Sequence, residues 1–146
     1  MNLIITAPHG GGELPSSIPD RTPGCFSSNK CLYRYGCLPQ NANKCSVKTL
    51  GDRYTSEMAE LIFEHVRMLT KATPYLIINN LHRKKMDANR EVNEATLGNS
   101  NAQNVYYEYH NITAKSCRSV QNQFGQGGLL IDIHGHSHDK ALIELV

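Results

Sequence analysis

Apolar positions along the chain follow two different rhythms. Residues 2–7 hold a compact run, Leu3-Ile4-Ile5-Thr6-Ala7, closed by Pro8-His9-Gly10-Gly11-Gly12. This predicts a buried strand opening into a glycine-rich turn. From about Asp52 to Lys71 the rhythm changes. Met58, Leu61, Ile62, Val66 and Leu69 recur three and four positions apart, which predicts a helix laying that stripe on a core. Gly51-Asp52 marks its start and Pro74 its stop. Residues 75–80 read as a second strand. Ser100–Phe124 reads as a long helix with Val105, Tyr109, Ile112, Cys117, Val120 and Phe124 turned inward, Cys117 as a small core residue. The glycines of 125–128 end it, residues 129–133 form a third strand, and residues 141–146 read as a fourth.

Strands alternating with long helices imply βαβ units, hence an α/β fold with a mainly parallel sheet. With 146 residues, positions 1–146 are expected to form a single domain. The fourth strand runs to the last residue with nothing after it to cover its far side, which is expected of a domain truncated at its C-terminus. Residues 13–50 carry no sustained periodicity. They hold most of the prolines and four of the five cysteines, and about 20–48 reads as a Cys-rich loop insertion.

Cys25, Cys31, Cys37 and Cys45 are separated by five, five and seven residues. Zinc ribbons pair cysteines two to four residues apart, so this cluster reads instead as a disulfide-stapled loop, with three pairings open. Asn111-Ile112-Thr113 is an N-glycosylation sequon. Together these favour a secreted, extracellular protein, although the N-terminus carries no signal peptide, which leaves a cytoplasmic location open. No apolar stretch approaches the roughly 20 residues that cross a bilayer. Net charge is +2 from 15 basic and 13 acidic residues. The one basic run, His82-Arg83-Lys84-Lys85, is short and gives no phosphate-tracking face. Neither nucleic acid nor a membrane is an expected partner.

Polar residues gather where the strands end. His9 follows the first strand; Asn80, His82, Arg83, Asp87, Asn89 and Arg90 follow the second; Asp132, His134, His136 and His138 follow the third, and Glu144 lies in the fourth. Open α/β sheets bind ligands outside the carboxyl ends of their strands. Two histidines plus a carboxylate, with a position left for water, are the donor set of a catalytic zinc. His9 and His134 supply the nitrogens and Asp52 the oxygen. Asp52 has a competing role as an ordinary helix N-cap, Glu13 is a rival ligand, and Glu57 lies too far into the helix. His136 and His138 are left to contact the ligands or substrate, or solvent. Arg83 and Arg90 are anion binders, since a guanidinium fork holds a carboxylate or a developing oxyanion. Lys84 and Lys85 read as solvated charges.

The segments Ala7-Pro8-His9-Gly10-Gly11-Gly12, Gly51-Asp52-Arg53-Tyr54-Thr55, His82-Arg83-Lys84-Lys85-Met86-Asp87-Ala88-Asn89-Arg90 and Asp132-Ile133-His134-Gly135-His136 stand in that order. In this the chain resembles the N-formylglutamate amidohydrolase family, one of the zinc-dependent amidohydrolases that include aspartoacylase, zinc carboxypeptidases and cell-wall amidases. The cysteine-rich loop is not part of the family pattern. The resemblance implies a three-layer α/β/α, phosphorylase/hydrolase-like fold with one Zn2+ per chain held by His9, Asp52 and His134. It implies that Asn89 and Arg90 hold a substrate carboxylate with His136 nearby, that Arg83 polarises the scissile carbonyl, and that Glu144 activates water. The expected reaction is hydrolysis of a C–N amide bond in a small carboxylate-bearing substrate, an N-acyl amino acid or short peptide. A catalytically inactive, truncated binding module and a peptidase or peptidoglycan amidase are the alternatives.

Overall fold

The first apolar run forms the middle strand of a parallel sheet. In the computed structural model, residues 1–38, 42–125 and 127–136 are described. Strand β1 (Leu3–Ala7) lies between β4 (Tyr75–Ile78) and β5 (Leu129–Asp132) in the order β4-β1-β5. Both pairings are parallel, with Ile5 opposite Leu76 on one side and Ile131 on the other. All five β1 residues are buried, which is why this strand is continuously apolar rather than alternating.

Alternate side chains of β1 meet different helices. Leu3, Ile5 and Ala7 pack against Ala59, Ile62, Phe63 and Val66 of α2 (Thr55–Thr70). Ile4 meets Ile77 and Val120, the latter on α4 (Ser100–Phe124). The protein is therefore of the α/β class, with helices supplied to both sides of a small parallel sheet. Short α3 (Val92–Thr96) precedes α4, and Asn99 caps α4 by accepting from the Ala102 N–H at 3.0 Å. The bounds of α4 coincide with those expected.

Which face each helix buries differs from the expectation. Met58, Leu61 and Leu69 of α2 are exposed, while Ala59 is completely buried. The apolar positions of α2 wrap more than one side, and the small side chain at 59 is what lets the helix approach the sheet. On α4 the inward row includes Ser116 and Val120, four apart. Cys117, one position further round, is exposed and unpaired rather than in the core, and Ile112 and Phe124 are exposed as well. Among the described residues, no helix is long and apolar enough to cross a membrane.

The cysteine-rich segment is not structureless. Strands β2 (Cys25–Ser27) and β3 (Lys30–Leu32) form an antiparallel hairpin, and α1 (Ala42–Cys45) follows. Ser28 and Asn29 both adopt positive φ, 46° and 60°, as a two-residue hairpin turn with right-handed strand twist requires. Of the three open pairings, the bridges are Cys25–Cys37 and Cys31–Cys45, so their loops interleave. Lys85, expected to be solvated, is buried. Its ammonium donates to the Ile18 carbonyl at 2.6 Å and pairs with Asp20 at 2.7 Å, while Lys84 pairs with Asp20 at 3.0 Å. Residues 141–146, expected as a fourth strand, lie outside the described residues, and so do His138 and Glu144.

Candidate metal centre

Because β1, β4 and β5 are parallel, their carboxyl ends emerge on one edge, and the residues following them meet there. The turn after β1 passes hard against the chain after β4. A side chain on Gly11 would collide with the backbone of Asn79 and Asn80, so glycine is required there. Asn79 fastens the two exits, donating to the Pro8 carbonyl at 2.8 Å. His9 is thereby set into the interior, only 1% exposed.

Asp52 is not the helix cap. The residue before α2 is Tyr54, in the left-handed region with φ 63°, and it makes no side-chain cap bond. Asp52 donates its own N–H to the His9 carbonyl at 3.0 Å and turns its carboxylate to the two imidazoles. Its Oδ2 lies 3.4 Å from His9 Nδ1 and 3.1 Å from His134 Nδ1, and it accepts the Gly135 N–H at 3.0 Å. The two rings stand 5.0 Å apart, centre to centre. One ligand atom from each of His9, Asp52 and His134 falls within 4.8 Å of the others.

The outer nitrogen of each ring faces another carboxylate. His9 Nε2 lies 2.8 Å from Asp87 Oδ1, and His134 Nε2 lies 3.0 Å from Asp132 Oδ2. An ionised carboxylate only accepts, so each outer nitrogen carries the proton. When both rings are neutral, as metal binding requires, their inner Nδ1 lone pairs converge on an oxygen that has no proton to give. A cation resolves that arrangement, and the carboxylate–histidine–metal pattern is how zinc ligands are oriented. Two ligands bound at 2.0–2.1 Å in a tetrahedron lie about 3.3 Å apart, close to both separations observed here. The residues could hold a metal ion.

Burial would raise the pKa of the fully buried Asp87, but hydrogen bonds from His9 and Arg83, and their charges, hold it well below the ordinary carboxylate range. Burial of Asp52 is likewise outweighed, by the Gly135 N–H, the His134 bond and the His9 and Arg83 charges, so its pKa is lowered. The Asp132 hydrogen bond raises His134 against the opposing effect of burial.

Other residues singled out from the sequence divide sharply. Arg83 belongs to the site: its Nε donates to Asp87 Oδ2 at 2.8 Å and its Nη1 lies 3.7 Å from Asp52 Oδ1. Asn89 Nδ2 lies 3.4 Å from His134 Nε2, and the Asn89 N–H donates to Asp87 Oδ1 at 3.1 Å. Arg90 is engaged elsewhere, with Nε 3.3 Å from Glu94. Glu13 is not in the group of converging ligand atoms, and its backbone bridges Leu81; Glu57 is exposed on α2. His136 lines a cavity of about 840 Å³ beside the group, together with Asp52, Arg53, Arg83, Lys48 and Leu50.

Three contributors were not assigned roles from sequence. Thr6 was legible only as a lone hydroxyl in an apolar strand; it donates to Asp132 Oδ1 at 2.6 Å. Asp87 stood among the polar residues after the second strand and in a segment of the resemblance, but nothing marked its contact 78 residues back to His9. Arg21, in the aperiodic Pro19-Asp20-Arg21-Thr22-Pro23 segment, gave no signal. Comparison of the chain with protein-family models, with curated proteins and with solved structures returns no match.

Proposed function

We propose that this chain is a zinc-dependent hydrolase that cleaves a C–N amide bond in a small carboxylate-bearing substrate. The supporting observation is the convergence of His9, Asp52 and His134 at the carboxyl edge of the sheet, beside a cavity large enough for a small molecule. The resemblance to N-formylglutamate amidohydrolases adds the reaction class and the three-layer, phosphorylase/hydrolase-like fold. The two disulfides fit an extracellular protein, and secretion is part of this proposal.

His9, Asp52 and His134 would hold the zinc, whose chemistry would be that of a Lewis acid toward the amide carbonyl and water. The chain's own residues do the rest. Asp87 and Asp132 fix the two rings in one tautomer. Arg83 is clamped by Asp87 beside Asp52, where its guanidinium stabilises negative charge developing on the carbonyl oxygen. Lys48, Arg53 and Arg83 give the cavity a basic lining suited to an acidic substrate. Asn89 and Arg90 as holders of the substrate carboxylate, His136 as a substrate contact and Glu144 as the group that activates water rest on the resemblance.

Metal analysis of the purified, oxidised protein should find one zinc per chain, lost in both His9→Ala and His134→Ala. Metal-loaded protein should hydrolyse acidic N-formyl or N-acyl amino acids faster than neutral ones or short peptides. Stoichiometric zinc retained in both variants would rule out the site. Metal loading without turnover of any member of the panel would favour the binding module, and preference for peptides would favour the peptidase or amidase.

A further inference from the structure

We propose that Arg21, carried by the disulfide-stapled loop, is a positioning residue of the metal centre, so that loop and centre form one mechanical unit. This rests on the metal-site reading above and extends it to a segment outside the family pattern.

The Arg21 side chain is fully buried. Its fork joins three separate stretches of backbone: Nη1 donates to the carbonyls of Lys48 at 2.8 Å and Arg83 at 2.9 Å, and Nε donates to that of Glu94 at 3.1 Å. Nη1 also lies 3.7 Å from Asp87 Oδ2, whose other oxygen holds His9. Two of the three carbonyls belong to segments at the site. Lys48 lies where the stapled loop returns to wall the cavity, Arg83 is the arginine beside Asp52, and Glu94 is the partner of Arg90.

Chemistry explains why the position is arginine. Nη2 is buried with no hydrogen-bond partner among the described residues, a defect that a leucine or methionine would not introduce. Nη1 serves two of the carbonyls and Nε the third, so the planar guanidinium fixes their relative positions from two separated nitrogens, where an ammonium would donate from one point. The Arg83 backbone is thereby held from one side by Arg21, while its side chain is held by Asp87. Loosening Arg21 removes one restraint from each of Asp87 and Arg83, the two groups that set His9 and flank Asp52.

The test uses the oxidised full chain and zinc alone. Zinc affinity is measured by competition with a chromophoric chelator, and the cobalt(II) form is examined by visible absorption for ligand geometry. Arg21→Met and Arg21→Lys should each weaken zinc binding by about tenfold or more, the range found for groups that orient metal ligands, and should shift the cobalt bands. A purely structural role would lower thermal stability while leaving the affinity and spectrum of the folded fraction unchanged. Should Arg21→Met fail to fold, Arg21→Lys carries the test. Wild-type affinity and spectrum in folded Arg21→Lys overturn the proposal. Absence of zinc binding by the wild-type chain would instead overturn the metal site itself, so the two failures are distinguishable.

Discussion

At the scale of single residues the site depends on close approach. A methyl group on Gly135 would sit 3.2 Å from Asp52 Cβ, tighter than an ordinary contact, and the same glycine donates its N–H to Asp52 Oδ2. Gly135→Ala should push Asp52 off its line to His9 and His134. Zinc affinity is expected to fall severalfold with little change in melting temperature, since the position is exposed; calorimetric titration beside thermal unfolding checks both. Individual roles were unevenly legible. His9, Asp52 and His134 stood out because imidazoles and a carboxylate at strand exits have few structural uses. Asp52 and a plain helix cap look alike in sequence, because both place an acid before an amphipathic run. What separates them is the left-handed Tyr54, which no local pattern announced. Arg21 and Asp87 act through contacts dozens of residues away, and such contacts leave no periodic trace.

At the scale of elements, periodicity settled where helices run better than which way they face. The bounds of α4 and the run of β1 followed directly from their patterns. On α2, apolar residues occupy so much of the circumference that the period alone could not choose a face, and Ala59 decided it by fitting closest to the sheet. Two substitutions separate the expectation from the outcome. Ile5→Ala, at a completely buried position, should cost about 2–5 kcal/mol. Leu61→Gln, expected from the stripe to be equally damaging, should change stability by no more than about 0.5 kcal/mol because Leu61 is exposed. Urea denaturation of both variants measures the contrast. The hairpin of residues 25–32 escaped the pattern because three-residue strands held by bridges need little apolar alternation.

At the scale of the whole molecule, the stapled loop is bound to the body where it begins. Asp20 pairs with both Lys84 and Lys85, and hydrogen bonds first from Lys85 and then from Lys84 hold its pKa below the ordinary 3.8. A carboxylate with a depressed folded pKa contributes stability above its unfolded value and loses it as pH falls through the folded one. Asp20→Asn should therefore melt below wild type near neutral pH, and the gap should close as the pH drops below about 4. A gap of constant size from neutral to acid would show that charge is not what the pair contributes. Parallel strand order made the meeting of distant motifs at one edge foreseeable, whereas the attachment of the loop to that edge depended on side chains with no motif.

Interleaving of the two bridges has its own consequence. Cys25–Cys37 and Cys31–Cys45 overlap, so every peptide bond between residues 25 and 45 is spanned by at least one of them. A protease that cuts the exposed turn at Ser28-Asn29 therefore releases no fragment. The severed ends stay tied into one covalent molecule, and the pieces separate only after a thiol has opened the bridges.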